Sequence, residues 1–244
     1  MTSEHIVKSF DEELNLLNNT IAQMGGLAEA QMAEAVQALV RRDVDAAARV
    51  IAEDKRIDSL EHDVDSQTVR LLALRQPMAE DLRAIVVALK ISSDLERIGD
   101  HAKNLAKRIG PLTQTPPLEP VHTLRRMAAL VQAMIKTVLD AYVERDLDKA
   151  GDVIARDEEV DALHTSLFRE LLTYMMEDAR NITPCTHLLF VAKNIERCGD
   201  HATNIAENVQ FLVSGETFTD ERPKGDESSV VVVEPKTAGA EGSK

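Results

Sequence analysis

Tryptophan is absent from this chain, and aromatic residues of every kind make up only 3% of it. With 44% apolar residues the chain still has material for a core. That core must be built from Leu, Ile, Val, Ala and Met, the side chains that pack at helix–helix seams. Glycine is sparse, and much of the proline falls in a mid-chain stretch and the C-terminal tail. An all-β fold needs turn residues at short intervals, and these are missing. Basic residues are also few, 28 against 42 acidic ones, for a formal net charge of −14. That balance excludes nucleic acid as a main ligand, because such binding rests on clustered Lys and Arg. It also opposes direct capture of free phosphate, which needs donors and positive charge. An acidic surface suits multivalent cations or a basic partner instead.

Other signals are missing too. The opening M-T-S-E-H-I-V-K-S-F has no apolar stretch of the signal-peptide kind, and no apolar run approaches a membrane span, so the expected location is cytoplasmic. Cys185 and Cys198 lack a metal-type CxxC spacing and read as packed thiols in a reducing compartment. There is no G-x-S-x-G, Walker loop, H-E-x-x-H or dinucleotide fingerprint, which excludes the commonest catalytic designs and points away from an enzyme.

What the chain does contain is a duplication. Residues 95–106, L-E-R-I-G-D-H-A-K-N-L-A, and 195–206, I-E-R-C-G-D-H-A-T-N-I-A, are identical at eight of twelve positions. Two further pairs, 35–47 with 138–150 and 50–60 with 153–163, repeat in the same order at nearly the same offset. Such periodicity signals stacked supersecondary units. Asp43 and Asp146 each stand where one apolar-periodic stretch ends and the next begins, as N-caps. Pro77, and Thr183 capping a helix with Pro184 at its first position, mark the next breaks. The pattern predicts helices over 4–40, 44–75, 78–109, 119–144, 147–179 and 184–213. The expected fold is all-α, two pseudo-symmetric three-helix bundles from an internal duplication, over 1–110 and 119–213. A Pro-rich linker, 111–120, which cannot continue a helix, joins them, and an acidic, disordered tail, 214–244, follows. In that tail Val230 to Val233 form a short apolar run.

On a helix Glu96, Asp100 and Asn104 fall at i, i+4 and i+8, one oxygen-bearing stripe, and Glu196, Asp200 and Asn204 repeat it. Extended back through Ser93, Leu89 and Val86, this stripe reads as a packing surface. Val87, Ile91, Ile98 and Leu105 read as the core face, and Arg83, Lys90, Asp94, Arg97 and His101 as the solvent edge. Gly99 and Gly199 sit mid-helix, where glycine costs about 1 kcal/mol relative to alanine, so a close neighbour is expected there. The middle helices carry Asp54, Asp58, Glu61 and Asp65 on one side, and Asp157, Asp161 and His164 repeat part of that set. Stacked like charges destabilise a helix by roughly 0.2–0.5 kcal/mol per pair, so the duplicated stack calls for a counter-ion. Oxygen-rich clusters on facing helices hold metals in bundles. The competing reading is internal ion pairing, Arg97 with Asp94 or Asp100 and His101 with a carboxylate, which orients the acids without any metal.

At these same residues the chain resembles the PhoU family of phosphate-specific transport system accessory proteins. M-A-E-D-L-R at 78–83, I-T-P-C-T-H-L-L-F-V-A-K-N at 182–194 and F-D-E-E-L-N-L-L at 10–17 extend the resemblance over about residues 4–213. The resemblance implies a negative regulator of the phosphate-starvation response and of phosphate uptake. Such a protein is a cytoplasmic, dimeric adaptor between the phosphate ABC transporter and a sensor histidine kinase, at the membrane only through those partners. It further implies iron or zinc clusters on E/D-x-x-x-D motifs, which fall here on Glu96 with Asp100, Glu196 with Asp200, Asp54 with Asp58, and Asp157 with Asp161. Glu61 and Asp65 correspond to His164 and Phe168, so equal loading of the two sites is not expected. The alternative from another class is a carboxylate-bridged metal-binding protein or metalloenzyme of a helical bundle, and a third reading leaves the stripes as solvated faces.

Overall fold

The structure, a computed structural model, describes residues 2–216 and residue 231, with side chains described from Phe10 onward. What was expected of the tail and of Val230 to Val233 lies outside the described residues, Val231 apart. Seven α-helices follow in order: α1 (Thr2–Arg41), α2 (Val44–Arg75), α3 (Ala79–Ala106), α4 (Ile109–Leu112), α5 (Val121–Glu144), α6 (Leu147–Glu177) and α7 (Ile182–Ser214). A single 3-10 turn, Ala179–Asn181, precedes α7. No strand is present among the described residues. Helices α1, α2 and α3 pack on one another, as do α5, α6 and α7.

The two Asp-capped corners are built alike. Arg42 and Arg145 adopt positive φ (58° and 56°), reversing the chain after α1 and α5. The next residue caps the following helix: Asp43 accepts from the Ala46 backbone N–H, and Asp146 from those of Asp148 and Lys149. Each cap satisfies backbone donors that a helix start otherwise leaves open. At the α6–α7 corner Thr183 is not the cap, contrary to expectation. Asp178 caps the 3-10 turn through the Arg180 N–H, and that turn runs directly into α7 at Ile182. Pro184 then lies within the first turn of α7, where its missing N–H costs nothing. The proline-rich stretch also departs from expectation, since Gly110 and Pro111 belong to α4, a helical turn that buries Ile109 and Leu112. Arg42 fixes this segment by donating to the carbonyls of Leu112 (2.7 Å) and Thr115.

One continuous core runs through both repeats, and α3 and α7 lie antiparallel at its centre. Residues 98 and 198 meet there: the Cys198 thiol points at the Ile98 carbonyl (3.8 Å). Outward from that point Asp94 meets His201 and His101 meets Asn194. Helix α1 approaches α5 at Gly25, where an added Cβ would run into the Leu139 side chain. The Tyr142 hydroxyl donates to Asn18 Oδ1 (2.9 Å) across the same contact. Both cysteines are free and buried.

Candidate functional site

Each repeat places the stripe of its third helix against the acidic side of its middle helix. In the first repeat these are α3 and α2. Asp54 is buried (4% exposed), Glu61, Glu96 and Asp100 are part-buried, and Asp58 and Asp65 are exposed. The Lys103 ammonium bridges the two helices, donating to Asp54 on α2 and to Asp100 on α3 (2.5 Å). Burial works against the charge on Lys103, but its hydrogen bonds to Asp100 and Asp54 outweigh that and raise its pKa. Burial alone would raise Asp100. The Lys103 hydrogen bond and charge, the Arg97 charge and a hydrogen bond from Glu96 hold it below the usual carboxylate range instead. Arg97 lies 3.8 Å from Asp100 and 3.5 Å from Glu96, on the exposed side.

The remaining acids are not compensated to the same degree. Burial first, and the Asp100 charge second, push Glu96 up to about 7. Asp58, although exposed at its surface, rises through partial desolvation and the charge of Asp54, and Glu61 through burial and the charge of Asp65. A carboxyl held near neutrality by its neighbours gives up its proton readily to a cation that relieves the repulsion. The all-oxygen donor set suits a hard cation. Among the described residues, however, no group of three or more Asp, Glu, His or Cys side chains converges as a metal cage. Lys103 itself stands between Asp54 and Asp100. The residue types therefore fit a cation, and their present arrangement is held together by an internal ammonium.

The second repeat differs in depth and in the origin of its charge. Asp157, Asp161 and His164 are buried on α6, Glu196 on α7 is only 5% exposed, and Asp200 is part-buried. Thr203, fully buried, stands where Lys103 stands in the first repeat, and its hydroxyl donates to the Gly199 carbonyl (3.1 Å). The cation comes instead from Lys193, whose Nζ lies 2.7 Å from Glu196 Oε1. Asp157 faces α7 across Gly199, its Oδ1 3.6 Å from where a Cβ would stand. The close approach expected at the motif glycines is real at Gly99, where a Cβ would lie 2.9 Å from Ile57 Cδ1 and 3.0 Å from Gln31 Oε1. At Gly199 the same atom would find only ordinary contacts of 3.5 Å and more.

The expected solvent edge and packing stripe need correction. Asp94 and His101 lie on the α3–α7 seam, not at the solvent edge. His101 is 9% exposed, with Nδ1 3.1 Å from Asn194 Oδ1, and His201 Nδ1 lies 2.9 Å from Asp94 Oδ1. Ser93 and Leu89 are exposed, so the stripe stops being a packing surface N-terminal to Glu96. The antiparallel crossing turns this face of α3 toward α7 rather than toward water, which the periodicity of one helix does not reveal. The roles of Lys103 and Lys193 are likewise set by what lies opposite and not by local pattern. Their signal was an asymmetry in the repeat, Lys103 against Thr203 and Lys193 against Ser93.

Among the described residues no helix is long and apolar enough to cross a membrane. Two PhoU domains match the chain, at residues 21–109 and 124–209, one per repeat. A phosphate-specific transport system accessory protein PhoU homolog from Caulobacter vibrioides is 53% identical over 225 residues, covering 92% of this chain and 98% of the relative. The homolog of the same name from Rhizobium meliloti is 50% identical over 232 residues, covering 95% and 98%. The crystal structure of PhoU from Pseudomonas aeruginosa superposes with a TM-score of 0.83 at 40% identity, over 85% of this chain and 100% of that one. That of the phosphate transport system regulatory protein PhoU from Streptococcus pneumoniae gives 0.80 at 30% identity, over 86% and 99%. These relatives are named as accessory and regulatory proteins rather than enzymes. With the family's domain in both halves and relatives at half identity along nearly their full length, the chain belongs to the PhoU family.

Proposed function

We propose that this protein is a negative regulator of the phosphate-starvation response and of phosphate uptake, acting as an adaptor between the phosphate ABC transporter and a sensor histidine kinase. The observation that carries this reading is the match along both repeats to accessory proteins of the phosphate-specific transport system, at up to 53% identity over 98% of the relative. A regulator without chemistry acts through surfaces. Val69, Leu72, Leu74, Met78 and Leu82 expose apolar side chains around the α2–α3 corner. Apolar groups gathered this way mark a contact face, suited to a partner or to the second copy in a cytoplasmic homodimer. Cross-linking in phosphate-replete cells, followed by recovery of the tagged protein, tests the adaptor role. Recovery of the transporter's ATPase subunit and of the kinase is expected, and recovery of neither would count against it.

The acidic seams are read as cation sites serving that role. Asp54, Asp58, Glu96 and Asp100 in one repeat and Asp157, Asp161, Glu196 and Asp200 in the other would hold a multivalent ion, with iron and zinc as the candidates. Such an ion would supply positive charge that joins the middle helix to the third. Elevated Glu96 and the unequal burial of the two seams support the reading and predict unequal affinity. Elemental analysis of protein purified without chelator tests it, with loss of metal in Asp100→Ala and Asp200→Ala as the expected result.

A further inference from the structure

At its α3 C-terminal end the α3–α7 seam opens into a cavity of about 520 Å3, lined by Asn104, Lys107, Arg108, Pro111, His187 and Asn194. Among the described residues no carboxylate lines it. Neither of its cations is paired with a carboxylate among the described residues. Lys107 Nζ reaches only Asn104 Oδ1, at 3.4 Å. The Arg108 guanidinium lies over the Phe190 ring, 4.3 Å from its centroid, with Nη1 3.5 Å from His187 Nδ1. Arginine has no acceptor, so His187 accepts at Nδ1 and keeps its proton on Nε2 as a further donor. Stacking on an aromatic face fixes the guanidinium while leaving its other N–H groups available.

The duplication shows that this charge is not required by the fold. In the second repeat Glu207 and Asn208 occupy the places of Lys107 and Arg108, and Val87 and Lys90 those of His187 and Phe190. Stabilisation of the α3 C-terminus by basic residues explains their sign. It explains neither the stacked guanidinium nor a histidine from another helix aimed at it. The overall charge of −14 opposes anion binding, but at physiological salt a field is screened beyond about 8 Å, so the two local cations dominate inside the cavity.

We propose that this cavity binds a phosphoryl dianion, held by the Arg108 and Lys107 cations with His187 Nε2–H as a neutral donor. A planar fork, a point charge and an N–H converging from two helices suit a tetrahedral oxyanion. The volume also admits a phosphoryl group on a small organic molecule, so the source is either free phosphate or a phosphomonoester. The inference does not depend on the adaptor role proposed above.

Calorimetric titration of the full chain at fixed ionic strength tests it, with inorganic phosphate and adenosine monophosphate as separate arms and chloride as the control. Saturable binding is expected for the wild type. It should weaken at least tenfold in Lys107→Gln/Arg108→Gln and change less than twofold in Lys136→Gln, which removes an exposed cation from α5. If the double variant fails to fold, Lys107→Gln alone, at an exposed side chain, should weaken binding at least threefold. Phosphate should also shift the His187 ring signals in NMR spectra and raise its pKa, which burial and the Arg108 charge hold low. Equal affinity in the two arms assigns free phosphate, and tighter adenosine monophosphate binding assigns a phosphomonoester; both support the site. Absence of saturable binding, reproduction of the effect by chloride, or full affinity in the variants would overturn it.

Discussion

His101 and His201 stack across the pseudo-twofold centre of the molecule, their ring centroids 5.5 Å apart and their planes inclined by 28°. They occupy equivalent positions in the two repeats but have unlike partners, Asn194 for His101 and Asp94 for His201. Only one of the two rings therefore has a carboxylate as its direct partner. Asp94 also accepts from Asn204 Nδ2 (3.1 Å), which makes it the polar hub of the seam. Asp94→Ala removes an acceptor from two part-buried donors at once and should cost about 1–3 kcal/mol in chemical denaturation. Asp94→Asn should cost less, because it recreates on this side the amide that Asn194 supplies on the other.

Glu96 titrates in the physiological range, and its sign is opposite to that of a stabilising ion pair. Its folded-state pKa, about 7, lies above the ordinary value of 4.5, so the native state holds the proton more tightly than the unfolded chain. Stability from this group is present below pH 4.5 and is lost as pH rises toward 7. His101 acts the other way over an overlapping window. Burial lowers its pKa below 6.5, so its contribution is full above that value and declines as pH falls below it. In chelator at pH 8, Glu96→Gln should therefore melt roughly 2–4 °C above the wild type. The difference should vanish near pH 4.5 and reverse when a multivalent cation is added at pH 8.

Lys103 is the internal counter-ion of the first seam. Lys103→Thr, which copies Thr203 of the other repeat, leaves the buried Asp54 without its ammonium. The expected loss in the metal-free protein is roughly 2–4 kcal/mol, at the lower end for buried pairs because Lys103 is part-exposed. The same variant should bind a divalent cation more tightly at this seam. Calorimetric titration with zinc after chelation measures the second effect, and a melt in chelator the first.

The glycines of the repeated motif should respond differently to the same substitution. An alanine at Gly199 meets ordinary contacts and gains helix propensity, so Gly199→Ala should stabilise by about 0.5–1 kcal/mol. At Gly99 the added methyl requires Ile57 and the buried Gln31 to move, which offsets that gain. At Gly25 the methyl meets Leu139 on α5, and overpacking there should cost about 1–3 kcal/mol. Denaturant midpoints of the three variants check the order Gly199→Ala, Gly99→Ala, Gly25→Ala, from most to least stable.

The helices were legible in the chain because local chemistry sets them. Asp43 and Asp146 cap as their positions imply, and Val87, Ile91, Ile98 and Leu105 are fully buried as their spacing implies. The missed features depend on what lies opposite. His101 and Asp94 read as a solvent edge because a single helix does not reveal that α7 runs antiparallel against it. Lys103 read as one basic residue among several because its two acceptors sit 3 and 49 residues away. Thr183 read as a cap because Asp178 acts through a 3-10 turn that periodicity does not show.

Regulation of the phosphate-starvation response is tested in cells that lack this gene, by alkaline phosphatase activity in phosphate-rich medium. The regulator proposed here predicts high activity in the deletion strain, returned to the repressed level by the wild-type gene. Full repression in the deletion strain at high phosphate would contradict it.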